Sequence, residues 1–284
     1  MKIRIKIEQI ALVVALLLPI NNLFAQKQSS TTKTTPQKVL MLSDGSQLTP
    51  TILELTQSGD FRYSETASAD SPRLTVRKNK VKWAWVSKPD EIIVADNTFN
   101  RKEYQNALTK FEECQKVWGA LGWEPYCKLK IAQCMKELKR EADAQQLLET
   151  LVDYSAESPY NQDALCLAYE ELSKYYSAKK EYDKSLDMLK KMLYGSENSA
   201  VTALIARGDL LLAKGNETGS VNDKRDAFNS FAQACLLYPN SSRAAEAAFR
   251  SYQALNALND ARSKVFADLL KKKYPKSNYT KQLN

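Results

Sequence analysis

The chain has 284 residues, of which 41 are lysine or arginine, 33 are aspartate or glutamate and none is histidine. The absence of histidine removes the commonest general base and the commonest metal ligand, and no nucleophile, paired-carboxylate or phosphate-loop motif replaces it. We therefore expect no enzyme, metal or cofactor, and we interpret the net charge of +8 as solvated surface rather than as a nucleic-acid site. Weak attraction to an anionic surface or to an acidic partner is the alternative.

The first 25 residues have the layout of a secretory signal peptide. A positive start, an apolar run and a small residue follow one another: Lys2, Arg4 and Lys6, then Ile10–Ile20, then Ala25. The run is too short for a stable bilayer anchor, so we expect cleavage after Ala25, no stable membrane insertion, and a periplasmic or secreted protein. An uncleaved signal anchor is the alternative. Cleavage would lower the net charge to +6, and residues 26–37 are predicted to form a flexible leader.

Residues 38–88 alternate with a period of two between turn signals, which indicates about five short strands. Asp44-Gly45 and Ser58-Gly59-Asp60 mark two of the turns. Pro50 falls inside the predicted strand Gln47–Thr56 and should lie at an edge or a bulge. The arrangement resembles Sm-like and SH3-like domains, and this resemblance implies a small antiparallel β-barrel.

Two tryptophans share a face of the last predicted strand, Lys80–Val86, because side chains alternate along a strand. We interpret the face of Trp83 and Trp85 as the core of the small domain. An aromatic platform that binds a sugar is the alternative, and burial of both rings would exclude it.

From residue 89 onward the pattern is helical. Pro89-Asp90-Glu91 has the chemistry of a helix start, and five pairs of a small residue and a large apolar residue recur after it. Neighbouring pairs lie 34 to 42 residues apart, which is typical of helix-turn-helix solenoids. The pairs are Ala107/Phe111, Ala144/Leu148, Ser185/Leu189, Ala227/Phe231 and Ala261/Val265.

The third unit carries the most complete pattern of aromatic, small and apolar positions: Tyr169, Leu172, Ser173, Tyr176, Ser185, Leu189 and Met192. It resembles the tetratricopeptide repeat, and the resemblance covers about residues 90–280. It implies a right-handed α-α superhelix of about five hairpins, after a signal peptide (1–25), a leader (26–37) and the β-barrel-like domain (38–88). The fold class is therefore α+β, mainly α, with residues 89–284 in the repeats. Gly215–Ser220 is expected to be an exposed loop inside the fourth hairpin.

In this family, the outward faces of the first helices line a binding groove. On our alignment that face presents Gln133, Lys136, Glu170, Lys174, Asp209 and Arg250. An ordinary solvated helix surface is the alternative for each residue. The positions of the family's carboxylate clamp hold Leu129/Gln133 and Glu170/Lys174, so that clamp is absent.

The endings Tyr238-Pro239-Asn240-Ser241 and Tyr274-Pro275-Lys276-Ser277 are similar to those of exported bacterial members of the family. The resemblance implies a non-enzymatic scaffold or adaptor that binds proteins or peptides of the cell envelope through its concave face. A peptidoglycan- or carbohydrate-binding module that uses the two tryptophans is the alternative. The oligomeric state is not predicted.

All five cysteines fall on predicted helices, where a small buried residue is the usual role. Export would nevertheless permit disulfides. Cys114 and Cys127 flank a short turn and are the candidate pair, with two reduced core thiols as the alternative.

Overall fold

The computed structural model describes residues 38–68, 70–154 and 158–283. The predicted signal peptide and leader lie outside these ranges. Within them, no helix combines the length and the apolar character that crossing a membrane requires.

Six short strands form two three-stranded antiparallel sheets. The first sheet has the order β2-β1-β6 and the second the order β3-β4-β5. The strands are β1 (Lys38–Leu42), β2 (Gln47–Leu48), β3 (Ile52–Leu55), β4 (Phe61–Ser64), β5 (Leu74–Val76) and β6 (Val81–Val86). The predicted strand 47–56 is divided at Pro50, where the chain passes from one sheet to the other. In the described residues the two sheets are not joined into a closed barrel.

The core of the two sheets contains small and aliphatic residues of β6 rather than its tryptophans. Ala84 and Val86 are buried with Leu40 of β1, whereas Trp83 and Trp85 are only partly buried on the opposite face. The prediction that the tryptophans form this core is therefore wrong. The opposite face is covered as well, because Val39, which pairs with Trp85, is fully buried.

Eleven helices follow the strands in the described residues. They are α1 (Asp90–Asn100), α2 (Tyr104–Trp118), α3 (Glu124–Glu137), α4 (Glu141–Glu149), α5 (Gln162–Ala178), α6 (Tyr182–Met192), α7 (Glu197–Thr218), α8 (Val221–Leu237), α9 (Ala244–Ala257), α10 (Ser263–Lys273) and α11 (Asn278–Lys281). The first ten form five consecutive hairpins, which confirms the predicted mainly helical repeat fold. Helix α11 covers the last hairpin, with the ring of Tyr279 lying 5.6 Å from that of Phe249.

Each of the five hairpin turns contains one residue in the left-handed backbone region: Lys102, Lys139, Lys180, Gly219 and Asn259. Such a residue ends a helix by directing the next amide groups back to its last carbonyls. At the second hairpin, for example, the amide of Arg140 donates to the carbonyl of Met135 over 2.8 Å. The expected loop 215–220 is wrong, because α7 continues to Thr218 and leaves only Gly219 and Ser220 in the turn.

Small residues allow the helices of a hairpin to approach closely. Gly208 of α7 lies directly against the ring of Phe231 in α8, so a methyl group there would overlap the ring. The first four predicted pairs are buried. The fifth is not, because Ala261 is exposed before α10 and Phe266 and Leu270 are the buried residues of that helix.

The hairpins stack in chain order. Each second helix packs against the first helix of its own hairpin and against the first helix of the next one, while α3, α5, α7 and α9 also pack on one another in turn. One side of the stack is therefore formed by successive first helices. The right-handed superhelix stays a prediction.

Candidate interaction surfaces

The six predicted groove residues lie on four successive first helices: Gln133 and Lys136 on α3, Glu170 and Lys174 on α5, Asp209 on α7 and Arg250 on α9. We call this set the first-helix strip. Lys136 and Lys174 are exposed, and the other four are partly buried. Because these helices pack on one another, the strip runs across four hairpins.

A network of ion pairs joins α3 to α5 within the strip. Lys136 Nζ lies 2.8 Å from Glu171 Oε2, and Lys174 Nζ lies 3.0 Å from Glu171 Oε1 and 2.9 Å from Glu170 Oε1. Glu171 is thus the centre of the network, although the sequence analysis did not select it. Its position three residues before Lys174 was the available signal.

The network shifts the pKa values of Glu171 and Lys136. Burial alone would raise the pKa of Glu171, but hydrogen bonds from Lys136 and Lys174 outweigh burial and lower it. The hydrogen bond to Glu171 raises the pKa of Lys136. Glu171 and Lys136 are therefore charged at neutral pH, and the strip contains residues of both signs of charge.

A second set of charges joins α7 to α9. Asp209 Oδ1 lies 3.7 Å from Arg250 Nη1, and burial raises the pKa of Asp209 while Arg250 opposes that shift. Arg243, which immediately precedes α9, donates two hydrogen bonds of 2.9 and 3.1 Å to Glu246. Arg243 and Glu246 were also missed, although Glu246 lies four residues before Arg250 and therefore on the same helix face.

An exposed apolar side chain lies beside the α3–α5 network. Leu167 of α5 is 50% exposed and lies three residues before Glu170, which places it on the same helix face. The first-helix strip therefore combines charges of both signs with an exposed leucine.

The sheets dock on the turn between the first two hairpins. Leu121 of this turn is buried in the core of the sheets, and Trp123 Nε1 donates to the carbonyl of Val86 over 3.0 Å. Gly122 is required at the contact: its φ is +96°, and a β-carbon there would lie 2.8 Å from the carbonyl oxygen of Ala84. The sheets and the helices share one compact unit.

The tryptophan face of β6 contacts a segment just before α5. The ring of Trp85 stacks on Tyr160 at 4.3 Å, and the ring of Trp83 meets Tyr160 edge-on at 5.9 Å. Trp83 also lines a cleft of about 440 Å³ whose other polar lining includes Lys78, Glu124 and Asn161. One face of Trp85 is therefore occupied, whereas Trp83 reaches a cavity.

A partly buried polar cluster ties the linker after β6 to the first two hairpins. Asp96 of α1 forms ion pairs with Lys88 and, at 4.0 Å, with Lys130 of α3, and it accepts a 2.7 Å hydrogen bond from the hydroxyl of Tyr126. Burial, followed by this hydrogen bond, raises the pKa of Tyr126. The cluster fixes the start of the repeats relative to the sheets.

The two cysteines of the candidate disulfide lie in one buried cluster between the first two hairpins and are unbridged. Burial raises the pKa of Cys114 to about 11 and that of Cys127 to about 12. Both thiols are therefore protonated at neutral pH. The disulfide stays a prediction.

Among the described residues, no group of three cysteine, aspartate or glutamate side chains is arranged to hold a metal ion. No family model and no curated protein matches the chain. Among solved structures, the chain is similar to a Podosopora anserina protein described as a kinesin light chain with nearly identical TPR-like repeats. A point variant of that protein aligns with 66% of this chain and 96% of its own, at 13% identity and a TM-score of 0.47. A second structure aligns with 69% and 96% of the two chains, at 12% identity and a TM-score of 0.45.

Proposed function

We propose that this protein is an exported, non-enzymatic scaffold that binds proteins or peptides of the cell envelope through the first-helix strip. The observation that carries the proposal is the run of charges of both signs over four successive first helices, joined across helices by Lys136–Glu171 and Asp209–Arg250. The signal-peptide layout of residues 1–25 supports export.

The ion pairs of the strip are better explained by recognition than by stability. Exposed ion pairs contribute only about 0–1 kcal/mol to folding, because water screens them and ordering long side chains costs entropy. Their geometry, in contrast, fixes the pattern of charge that a partner meets, which favours the partner with complementary charges and suppresses others. Leu167 adds an apolar contact to that pattern.

A charge swap tests the strip without removing its ion pairs. The variant Lys136→Glu/Glu170→Lys/Glu171→Lys/Lys174→Glu exchanges the sign of every member of the α3–α5 network and leaves the net charge unchanged. A matched control exchanges two ion pairs outside the strip, Arg140–Asp143 and Lys184–Glu181. Both variants are used to capture partners from a cell-envelope extract, and each captured partner is then purified and titrated.

We expect the strip variant to lose at least about tenfold in affinity for a purified partner, while the control variant and the thermal melts stay close to wild type. Equal affinity of the two variants would place the binding surface elsewhere. The same capture is repeated with a cytoplasmic extract, and partners found there but not in the envelope extract would contradict the envelope assignment.

The second candidate function is carbohydrate or peptidoglycan binding at the cleft beside Trp83. It is favoured by one observation: an indole ring lines a cavity together with a carboxylate, an amide and lysines. Trp85 is less suited to this role because Tyr160 stacks on it. This function is tested by titrating wild type and Trp83→Phe with soluble peptidoglycan fragments while tryptophan fluorescence is recorded. A wild-type emission spectrum that does not change during the titration rejects it.

A further inference from the structure

A groove outside the first-helix strip lies between α1 and α2, on the first hairpin. It encloses about 440 Å³, and its lining includes the apolar residues Val94, Val117 and Trp118. Its aliphatic side chains are exposed to solvent: Val94 is 51% exposed and Val117 is 56% exposed, and the neighbouring Ile93 is 42% exposed. No residue of the sheets lines this groove.

The groove lies on the first hairpin of the stack. From the second hairpin onward, each first helix packs against the second helix of the hairpin before it, as α3 packs against α2. Helix α1 has no such predecessor among the described residues, and the terminal repeat of a solenoid normally has a polar outer face. The opposite end of this stack is covered by α11, through Tyr279 and Phe249. The first hairpin thus exposes apolar side chains at an end of the repeats that is usually polar.

The charges around the groove select the kind of helix. Among the described residues, the carboxylates of Asp90, Glu91 and Glu113 line it together with one cation, Lys110. Asp90 and Glu91 also stabilise the N-terminus of α1. Glu113 lies within α2, where the helix terminus gives no such reason for an acid. The groove therefore combines an apolar floor with an acidic rim.

We propose that this groove binds an amphipathic helix of a partner protein whose apolar face is flanked by lysine or arginine. The apolar side chains of the helix fill the space over Val94 and Val117, and its cations meet the three carboxylates. A second copy joined groove to groove is disfavoured because it would bring the two acidic rims together. The proposal is independent of the first-helix strip, since the two surfaces share no residue.

The test uses a synthetic helical peptide as the probe. Residues 262–276 of this chain, RSKVFADLLKKKYPK, provide a sequence of the required type, with apolar residues at helical spacing and a basic end. A second peptide carries glutamate at every lysine and arginine. Binding of the labelled peptides to the full-length mature protein is measured by fluorescence anisotropy for wild type and for Val94→Glu/Val117→Glu. The control variant is Val221→Glu/Leu237→Glu, which changes two residues of α8 that are each 49% exposed.

We expect the basic peptide to bind wild type and the control variant equally, with affinity at least about tenfold lower for Val94→Glu/Val117→Glu and for the acidic peptide. Glu113→Lys should weaken binding of the basic peptide and strengthen binding of the acidic peptide. Equal binding to all variants, or no preference between the peptides, overturns the proposal. Self-association of the wild type that Val94→Glu/Val117→Glu abolishes would overturn it in favour of a second copy, and sedimentation velocity detects that outcome.

Discussion

Four of the five hairpin turns hold a residue other than glycine in the left-handed backbone region, which is sterically costly for a side chain with a β-carbon. Lys102 and Lys139 are exposed at these positions. Replacing either by glycine removes the steric cost but increases the entropy of the unfolded chain, and the first effect is larger. We expect Lys102→Gly and Lys139→Gly each to raise the free energy of unfolding by about 0.5–1 kcal/mol, measured by urea denaturation.

The fourth turn supplies the control for that prediction. Gly219 already has a φ of +74°, with open space around it. Gly219→Ala should therefore lower the free energy of unfolding by about 1 kcal/mol, through strain alone. A lysine-to-glycine change that destabilises the protein would contradict this explanation of the turns.

Gly122 is constrained by a close contact as well as by its backbone conformation. In Gly122→Ala the new methyl group would lie 2.8 Å from the carbonyl oxygen of Ala84 and 2.9 Å from the ring of Trp85. Gly45 has a similar φ of +89° with nothing nearby, so Gly45→Ala measures the strain alone. We expect about 1 kcal/mol of destabilisation for Gly45→Ala and at least about 2 kcal/mol for Gly122→Ala. If Gly122→Ala and Gly45→Ala destabilise the protein equally in urea denaturation, the sheets can move enough to accommodate the methyl group at Gly122.

At the scale of the elements, Glu171 links α3 to α5 and makes stability depend on pH. Its pKa is lower in the folded protein than in the unfolded chain, so the ionised carboxylate stabilises the fold above its ordinary pKa of about 4.3. The contribution is lost as pH falls through the lowered pKa. We expect Glu171→Gln to lower the free energy of unfolding by about 1 kcal/mol at pH 7. The difference from wild type should disappear once the wild-type carboxyl is protonated.

Urea denaturation of wild type and Glu171→Gln between pH 7 and pH 3 checks this dependence. Glu170→Gln is the control, because Glu170 is paired only with Lys174 of its own helix in the described contacts. It should change stability by less than about 0.5 kcal/mol at every pH. A difference for Glu171→Gln that persists at pH 3 would mean that packing, rather than charge, is responsible.

The helical hairpins could be predicted from the sequence because their signals are local. A small residue four positions before a large one, as in Ala107 and Phe111, reports the packing inside one hairpin. The orientation of β6 could not be predicted in this way. Both faces of this strand carry apolar residues, so the sequence pattern does not show which face is buried in the core of the sheets. That orientation depends on Tyr160 and on the turn containing Leu121, which are distant in the sequence. Glu171 was missed for a similar reason: its importance comes from Lys136 on another helix.

Considered as a whole, the molecule has two ends of different chemistry. The C-terminal end is covered by α11 and carries the exposed run Lys271–Lys273. The first hairpin carries the acidic groove, and beside it the sheets dock on the turn before α3. The sheets therefore stabilise the start of the stack, and no described residue of the sheets lines the groove.

The same docking predicts how the sheets and the repeats depend on each other. Leu121 completes the core of the sheets, and Trp118 and Trp123 pack against it, so neither part retains all of its core when separated. The contacts between hairpins are local, and the fragment 88–284 should stay helical in far-ultraviolet circular dichroism. We expect it to melt roughly 5–10 °C below the chain of residues 26–284, because its exposed apolar turn loses several kcal/mol of burial.

Two point variants of the full chain separate this effect from simple truncation. Leu121→Ala should lower the melting temperature by deleting part of the shared core, and Trp123→Phe should lower it less, by deleting the hydrogen bond to the carbonyl of Val86. Fragment 38–88 alone should lack a cooperative transition, because it lacks Leu121. If instead fragment 88–284 melts at the temperature of the chain 26–284 and fragment 38–88 folds, the sheets are an independent domain, and the turn from Gly119 to Trp123 is only a linker contact.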